Sequence, residues 1–179
     1  EELKAISEVV LNIKSELETL GVSVKFDDRD THKPGWKFAE YELKGVPLRL
    51  AIGQRDLENK TIEIARRDTM EKETIQILDV SNKIVHLLDK IQDNLYTKAN
   101  TFREENTNTA TTYDEFKKLI KAGGFVYAYW DGTEETEKNI KSETKATIRC
   151  IPKIAKKAEG SCIYSGKLSN IKVLFARSY

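Results

Sequence analysis

Residues 27–53 read DDRDTHKPGWKFAEYELKGVPLRLAIG, and the order of signals in this stretch decides the architecture. A polar loop from Asp27 to Lys33 runs into Pro34, a residue suited to the first helical position because its missing N–H would have no intrahelical partner there. A short helix follows, reaching Leu43 and stopping at Gly45. Val46 to Ile52 then reads as a strand and Thr61 to Arg66 as another, with a turn at Glu58-Asn59-Lys60 between them. A helix and two strands in so little chain imply a layered α/β unit with helices against a sheet.

Upstream, Leu3, Ile6, Val9, Val10, Ile13, Leu17 and Leu20 recur at three- and four-residue spacing, the apolar stripe of an amphipathic helix. Gly21 stands where a left-handed C-terminal cap is expected. Val22, Val24 and Phe26 alternate with polar residues and read as a strand. A strand before the first helix would be the natural start of such a unit. The chain instead opens on Glu1, already in helical pattern, and reads as a piece of a longer protein.

Downstream, a second long stripe runs from Ser81 to about Arg103 through Ile84, Leu87, Leu88, Ile91, Leu95 and Phe102. Polar Asn106 to Thr111 breaks it, and Thr112 with Glu115 has capping-box spacing for a helix that buries Phe116, Leu119 and Ile120. Gly123-Gly124 ends that helix. Phe125 to Trp130, Ala146 to Ile151 and Ile171 to Ala176 read as strands, with a short helix near Glu134 to Lys141. The expected organisation is a first α/β domain over residues 1–79, a connecting helix over 80–106 and a smaller α+β domain over 107–179.

Composition sets limits on function. With 30 basic against 29 acidic residues the net charge is +1, so a nucleic-acid surface has to come from local segregation of charge. The apolar runs are strand-sized and none is long enough for a membrane span. Cys150 and Cys162 are expected as free thiols in a cytoplasmic protein, with Cys150 a small buried hydrophobe in its strand. His32 and His86 have no nucleophile or metal partner at telling spacing, and no phosphate loop is present, which disfavours an independent enzyme.

Three stretches taken together carry a resemblance: residues 27–53, ARRDTMEKE at 65–73 and VLFARSY at 173–179, with TKATIRCIP at 144–152 in support. The chain resembles prolyl-tRNA synthetase of the archaeal/eukaryotic-like type over essentially its whole length. That resemblance implies a mixed-sheet anticodon-binding domain flanked by helices, followed by a C-terminal domain that often carries structural zinc. It also implies a catalytic domain elsewhere in the enzyme, where ATP and Mg would act, and a homodimer at full length. The arginine motifs and glycine-rich strand of that catalytic domain are absent, so this chain alone is not expected to activate proline.

Within the matching stretches the resemblance places Glu42 and Arg49 at guanine-reading positions and Lys72 at a third. Proline anticodons end in two guanines, whose edges offer donors to a carboxylate and a carbonyl to Arg or Lys once the bases are unstacked. Without the resemblance, Glu42 and Arg49 read as a solvated surface pair, the commoner role of such charges. Arg66, Arg67 and Lys72 form the best local basic cluster, diluted by Asp68, Glu71 and Glu73. Phosphate contact and an ordinary charged edge are both open for Arg66, with Arg67 the better contact candidate. Phe38 is expected in the core, and Trp36 admits either packing or base stacking.

The positions that hold zinc in metal-bearing members fall, by the resemblance, at Asp131 and Thr136 and at Cys162 and Ser165. Two hydroxyls are poor zinc donors, so no metal is expected, its place being taken by hydrogen bonding or packing. The resemblance further implies that the terminal Tyr179 reaches toward the active site of the whole enzyme. The expected partners are proline tRNA and that catalytic domain, with no membrane. The competing reading is a protein-docking module that does not bind RNA.

Overall fold

The computed structural model describes residues 2–153 and 159–178, so Tyr179 lies outside the described residues. The chain divides into two compact units, and the division falls between Lys98 and Ala99.

The first unit opens with helix α1 (Glu2–Thr19), whose Val9, Ile13 and Leu17 face the core. Helix α2 (Pro34–Leu43) begins at Pro34 as its sequence requires. Strands β1 (Leu48–Ala51), β2 (Thr61–Arg66) and β3 (Lys72–Gln76) form an antiparallel sheet in the order β1-β2-β3. A short helix α3 (Gln54–Asn59) fills the β1–β2 connection, where the sequence suggested only a turn. Helix α4 (Val80–Glu105) starts inside this unit, where Val80, Ile84 and Leu87 close the core over Ile62 and Ile64. The Val22–Phe26 stretch is not a strand. It joins no ladder among the described residues, and Val22 and Val24 pack on the core instead.

In the second unit the sheet runs β4-β5-β9-β6, with β4 (Thr107–Thr109) parallel to β5 (Phe125–Tyr129) and the other pairs antiparallel. Here β6 is Ala146–Cys150 and β9 is Lys172–Arg177, while β7 (Gly160–Ser161) and β8 (Leu168–Ser169) pair separately. Helix α5 (Tyr113–Ala122) is capped by the Thr112 hydroxyl, which accepts from the Glu115 N–H at 3.3 Å. Its Phe116 and Ile120 and Ile140 of helix α6 (Glu134–Thr144) bury against Val126, Ala128, Val173 and Phe175 of the sheet.

Cys150 departs from expectation and is exposed. A bulge between Ile148 and Cys150 shifts the register, so Ile148 faces Phe175 but Cys150 faces Leu174. One extra residue in a strand moves the next side chain to the other face of the sheet.

Candidate functional site

The inner face of the first sheet is covered by helices, and alternation decides what is left outside. Ile62 and Ile64 of β2 are buried in the core, so Glu63 and Ala65 stand on the opposite, open face. Arg49 of β1 and Lys72 of β3 both pair with Ala65. Arg49, Ala65 and Lys72 therefore form one row across the sheet, two cations separated by a methyl group.

Helix α2 supplies the wall beside this row. Its end is a Schellman turn: the Gly45 N–H donates to the Glu42 carbonyl at 3.1 Å and the Val46 N–H to the Tyr41 carbonyl at 3.0 Å. Gly45 has φ 80°, a conformation that costs glycine little. The reversal lays the chain back under α2 and sets the Arg49 guanidinium 3.6 Å from the centre of the Phe38 ring. Such a cation over an aromatic face is attracted by the ring's negative quadrupole.

Phe38 is thus not a core residue, contrary to expectation. It is half-buried, because α2 buries no side chain fully, and it serves as the surface on which Arg49 rests. Glu42, Tyr41 and Val46 line the same shallow pocket as Phe38 and Arg49. The Arg49 Nε is buried there with no acceptor among the described residues, while Nη1 lies 3.4 Å from the Glu63 carboxylate. Lys72 Nζ lies 3.3 Å from that same carboxylate. Sequence reasoning did not single out Glu63. Its signal was available, since Ile62 and Ile64 as buried neighbours oblige it to face outward.

Of the basic cluster, the structure separates Arg66 from the rest. Arg66 pairs with Leu48, which packs on the core, and its guanidinium donates to the Asp68 carboxylate at 3.1 and 2.7 Å. The Asp68 hydrogen bond holds the Arg66 pKa above its ordinary value. Arg67 opens the turn after β2, with Nε donating to the Glu42 carbonyl at 2.8 Å and the residue exposed. A cation at the C-terminal end of α2 also meets the favourable end of the helix dipole. Glu42, Arg49, Arg66 and Arg67 line one pocket, with Lys72 across the sheet from Arg49, and the Arg66 guanidinium is committed to Asp68 of the adjoining turn. Trp36 is about half exposed, stacked on His32 with ring centres 3.9 Å apart.

In the second unit, Asp131, Thr136 and Ser165 do come together. Asp131 Oδ2 accepts from the Thr136 hydroxyl at 2.9 Å and the Ser165 hydroxyl at 2.6 Å, and Oδ1 accepts from the Thr133 hydroxyl at 2.8 Å. Cys162 is buried in the same turn as Ser165, with its carbonyl accepting from the Gly166 N–H at 3.0 Å. One thiol, one carboxylate and two hydroxyls already turned onto that carboxylate do not fit a closed zinc site.

Burial pushes the Asp131 pKa up, but the bonds from Ser165, Thr133 and Thr136 together outweigh it and lower it to about 2. A carboxyl whose folded pKa is depressed adds stability above its unfolded pKa, and that stability is lost as pH falls through the folded value. Asp131→Ala should therefore lower the unfolding free energy of the second unit by about 1–3 kcal/mol at neutral pH. The deficit should shrink as pH falls from 3.8 toward about 2. Denaturant melts at a series of pH values measure this, and a pH-independent deficit would remove the carboxylate from the explanation.

Comparisons with known proteins agree with this division. Residues 2–87 match the family model described as anticodon binding domain, and residues 113–179 match prolyl-tRNA synthetase, C-terminal. Together they define the C-terminal modules of an aminoacyl-tRNA synthetase. The whole chain is 57% identical to the proline--tRNA ligase of Parabacteroides distasonis and 55% identical to that of Porphyromonas gingivalis, covering 36% of each. It also superposes, at TM-score 0.88 and 33% identity over 97% of its length, on 37% of the chain of the Cryptosporidium parvum prolyl-tRNA synthetase crystallised with L-proline and AMP. The chain belongs to the prolyl-tRNA synthetase family, and it spans about a third of the length of these relatives.

Proposed function

We infer that this chain binds proline tRNA by its anticodon, as the recognition part of an enzyme that ligates proline to tRNA with ATP. The observation that carries the reading is the assembly of Arg49, Lys72, Glu42 and Phe38 around one open face. Arg49 and Lys72 offer donors to guanine carbonyls, Glu42 offers an acceptor to a guanine's donors, and Phe38 fixes the plane of Arg49. Arg67 contributes phosphate contact, whereas Arg66 holds the turn. The catalytic domain, the homodimer and the cytoplasmic setting belong to the full enzyme in this reading. The second unit keeps its fold through the Asp131 hydrogen bonds without a metal.

Filter binding of the chain to proline tRNA and to a non-cognate tRNA, across a salt series, tests it. Affinity should fall with salt, with a slope of about 0.7 per phosphate contacted in a single-stranded loop. Arg49→Ala and Glu42→Ala should each weaken cognate binding by about 10- to 100-fold, the range for losing a hydrogen bond to a charged group. Non-cognate binding should change far less. Equal losses for both tRNAs would reject base reading, and no RNA binding at all would favour a protein-docking role.

A further inference from the structure

We propose that Glu63 is a second guanine-reading carboxylate, a specificity residue for the base contacted from the Arg49–Lys72 row. The inference rests on the anticodon reading given above and extends it to a residue that reading leaves unused.

The need is chemical. Each guanine edge carries one carbonyl acceptor followed by two N–H donors, so two guanines require two donor groups and two carboxylates. Arg49 and Lys72 provide the donors, and Glu42 provides one carboxylate. Beside those three stands one more carboxylate, Glu63.

Glu63 is placed there by register. It lies on β2 two residues from Ala65, on the same side of the sheet, and Ala65 is opposite both Arg49 and Lys72. The small methyl of Ala65 leaves room for the Glu63 side chain to lean back between the two cations. Its Oε1 is 3.4 Å from Arg49 Nη1 and 3.3 Å from Lys72 Nζ. The row thus presents donor, acceptor, donor. Its neighbouring donor and acceptor complement the neighbouring acceptor and donors of guanine, and they reject adenine, which presents an amino group where guanine has its carbonyl.

The contacts are also loose enough to be shared. Charge-assisted N–H to O bonds lie near 2.7–2.9 Å in general, so roughly half an ångström of slack remains here. By contrast, Asp68 is bound by Arg66 at 2.7 Å and Asp27 by Arg29 at 2.6 Å. A carboxylate has about four lone-pair positions, enough to keep both cations while accepting from a base. The Glu63 side chain is 33% exposed, so a base can reach it.

The test uses the full chain and proline tRNA transcripts carrying inosine in place of either anticodon guanine, which removes only the 2-amino donor. In the wild type each inosine should weaken binding about tenfold. Glu63→Ala should abolish that penalty at one position and leave it at the other, where Glu42→Ala abolishes it. If Glu63→Ala weakens binding but both penalties persist, Glu63 only positions its neighbours and the proposal falls. If inosine costs nothing in the wild type at either position, the anticodon reading fails first and Glu63 with it. Circular dichroism melts of Glu63→Ala and Glu63→Gln separate both outcomes from misfolding.

Discussion

Replacing Phe116 with alanine is expected to destabilise the second unit by about 3–5 kcal/mol, enough to leave much of it unfolded at physiological temperature. Phe116 is fully buried, and its ring meets that of Phe175 edge-on, with centres 5.1 Å apart and planes at 81°. Such pairs add to the area term because the positive ring edge meets the negative face. The ring also lies within the cluster that joins α5 to the sheet through Val126 and Val173. Truncation leaves a cavity between helix and sheet that a β-sheet floor cannot collapse to fill. Phe116→Leu, which keeps most of the volume, should cost about 1–2 kcal/mol. Denaturant unfolding followed by the near-ultraviolet signal of the second unit measures both. A loss below about 1 kcal/mol for Phe116→Ala would mean that this core is not the one that holds the unit.

Asp68→Ala should destabilise the first unit by about 3 kcal/mol. The side chain is 1% exposed, binds Arg66 through two hydrogen bonds and accepts from Asn94 Nδ2 at 2.5 Å. Its own carbonyl accepts from Lys98 Nζ at 3.0 Å. The turn between β2 and β3 is thereby tied to α4, and removing the carboxylate leaves a largely buried guanidinium without its hydrogen-bonded counter-charge, only Glu71 and Glu73 still acting on it through charge. The Arg66 hydrogen bond is the main reason that Asp68 titrates at about 2. A depressed carboxyl pKa again means stability that is full above the unfolded value and lost on acidification through the folded one. Wild-type stability should therefore drop as pH falls from 3.8 toward about 2, while Asp68→Ala should lack that component of the drop. Urea midpoints at each pH give the comparison. Parallel curves for the two proteins would show that the pair contributes nothing.

Much of this fold is legible in the sequence, and the failures share a physical cause. The α1 stripe, the Thr112 cap and strand β2 all announce themselves because apolar periodicity or a capping side chain is present locally. Strand β3, KETIQ, offers a single apolar residue, and β4, TNT, offers none, so neither shows a period. Helix α3 has only Leu57 to mark it. Val22 to Phe26 alternates like a strand, yet alternation cannot supply a neighbour to pair with. The bulge at Cys150 is invisible for the same reason, since register is a property of two strands.

The candidate site divides likewise. Glu42, Arg49 and Lys72 became candidates through family resemblance and not through spacing. Arg66 and Arg67 look alike in the sequence and line the same pocket, but the Arg66 guanidinium is held by Asp68 while Arg67 binds the end of α2. Glu63 escaped notice and Phe38 was expected in the core because their importance lies in cross-strand and helix-to-strand contacts. Glu63 stands fourteen residues from Arg49 and nine from Lys72 in sequence.

The Arg49 guanidinium over the Phe38 ring, 3.6 Å from its centre, has a thermodynamic consequence. A free arginine side chain carries rotamer entropy of about 2 kcal/mol, which a ligand would ordinarily have to overcome on docking. Here much of that freedom is given up when the domain folds. The loss is therefore charged to folding stability, where it makes the sheet slightly weaker, and not to association. In the anticodon reading proposed above, an incoming base would meet a donor already held in place, so that discrimination between bases is kept while the entropic penalty of binding shrinks.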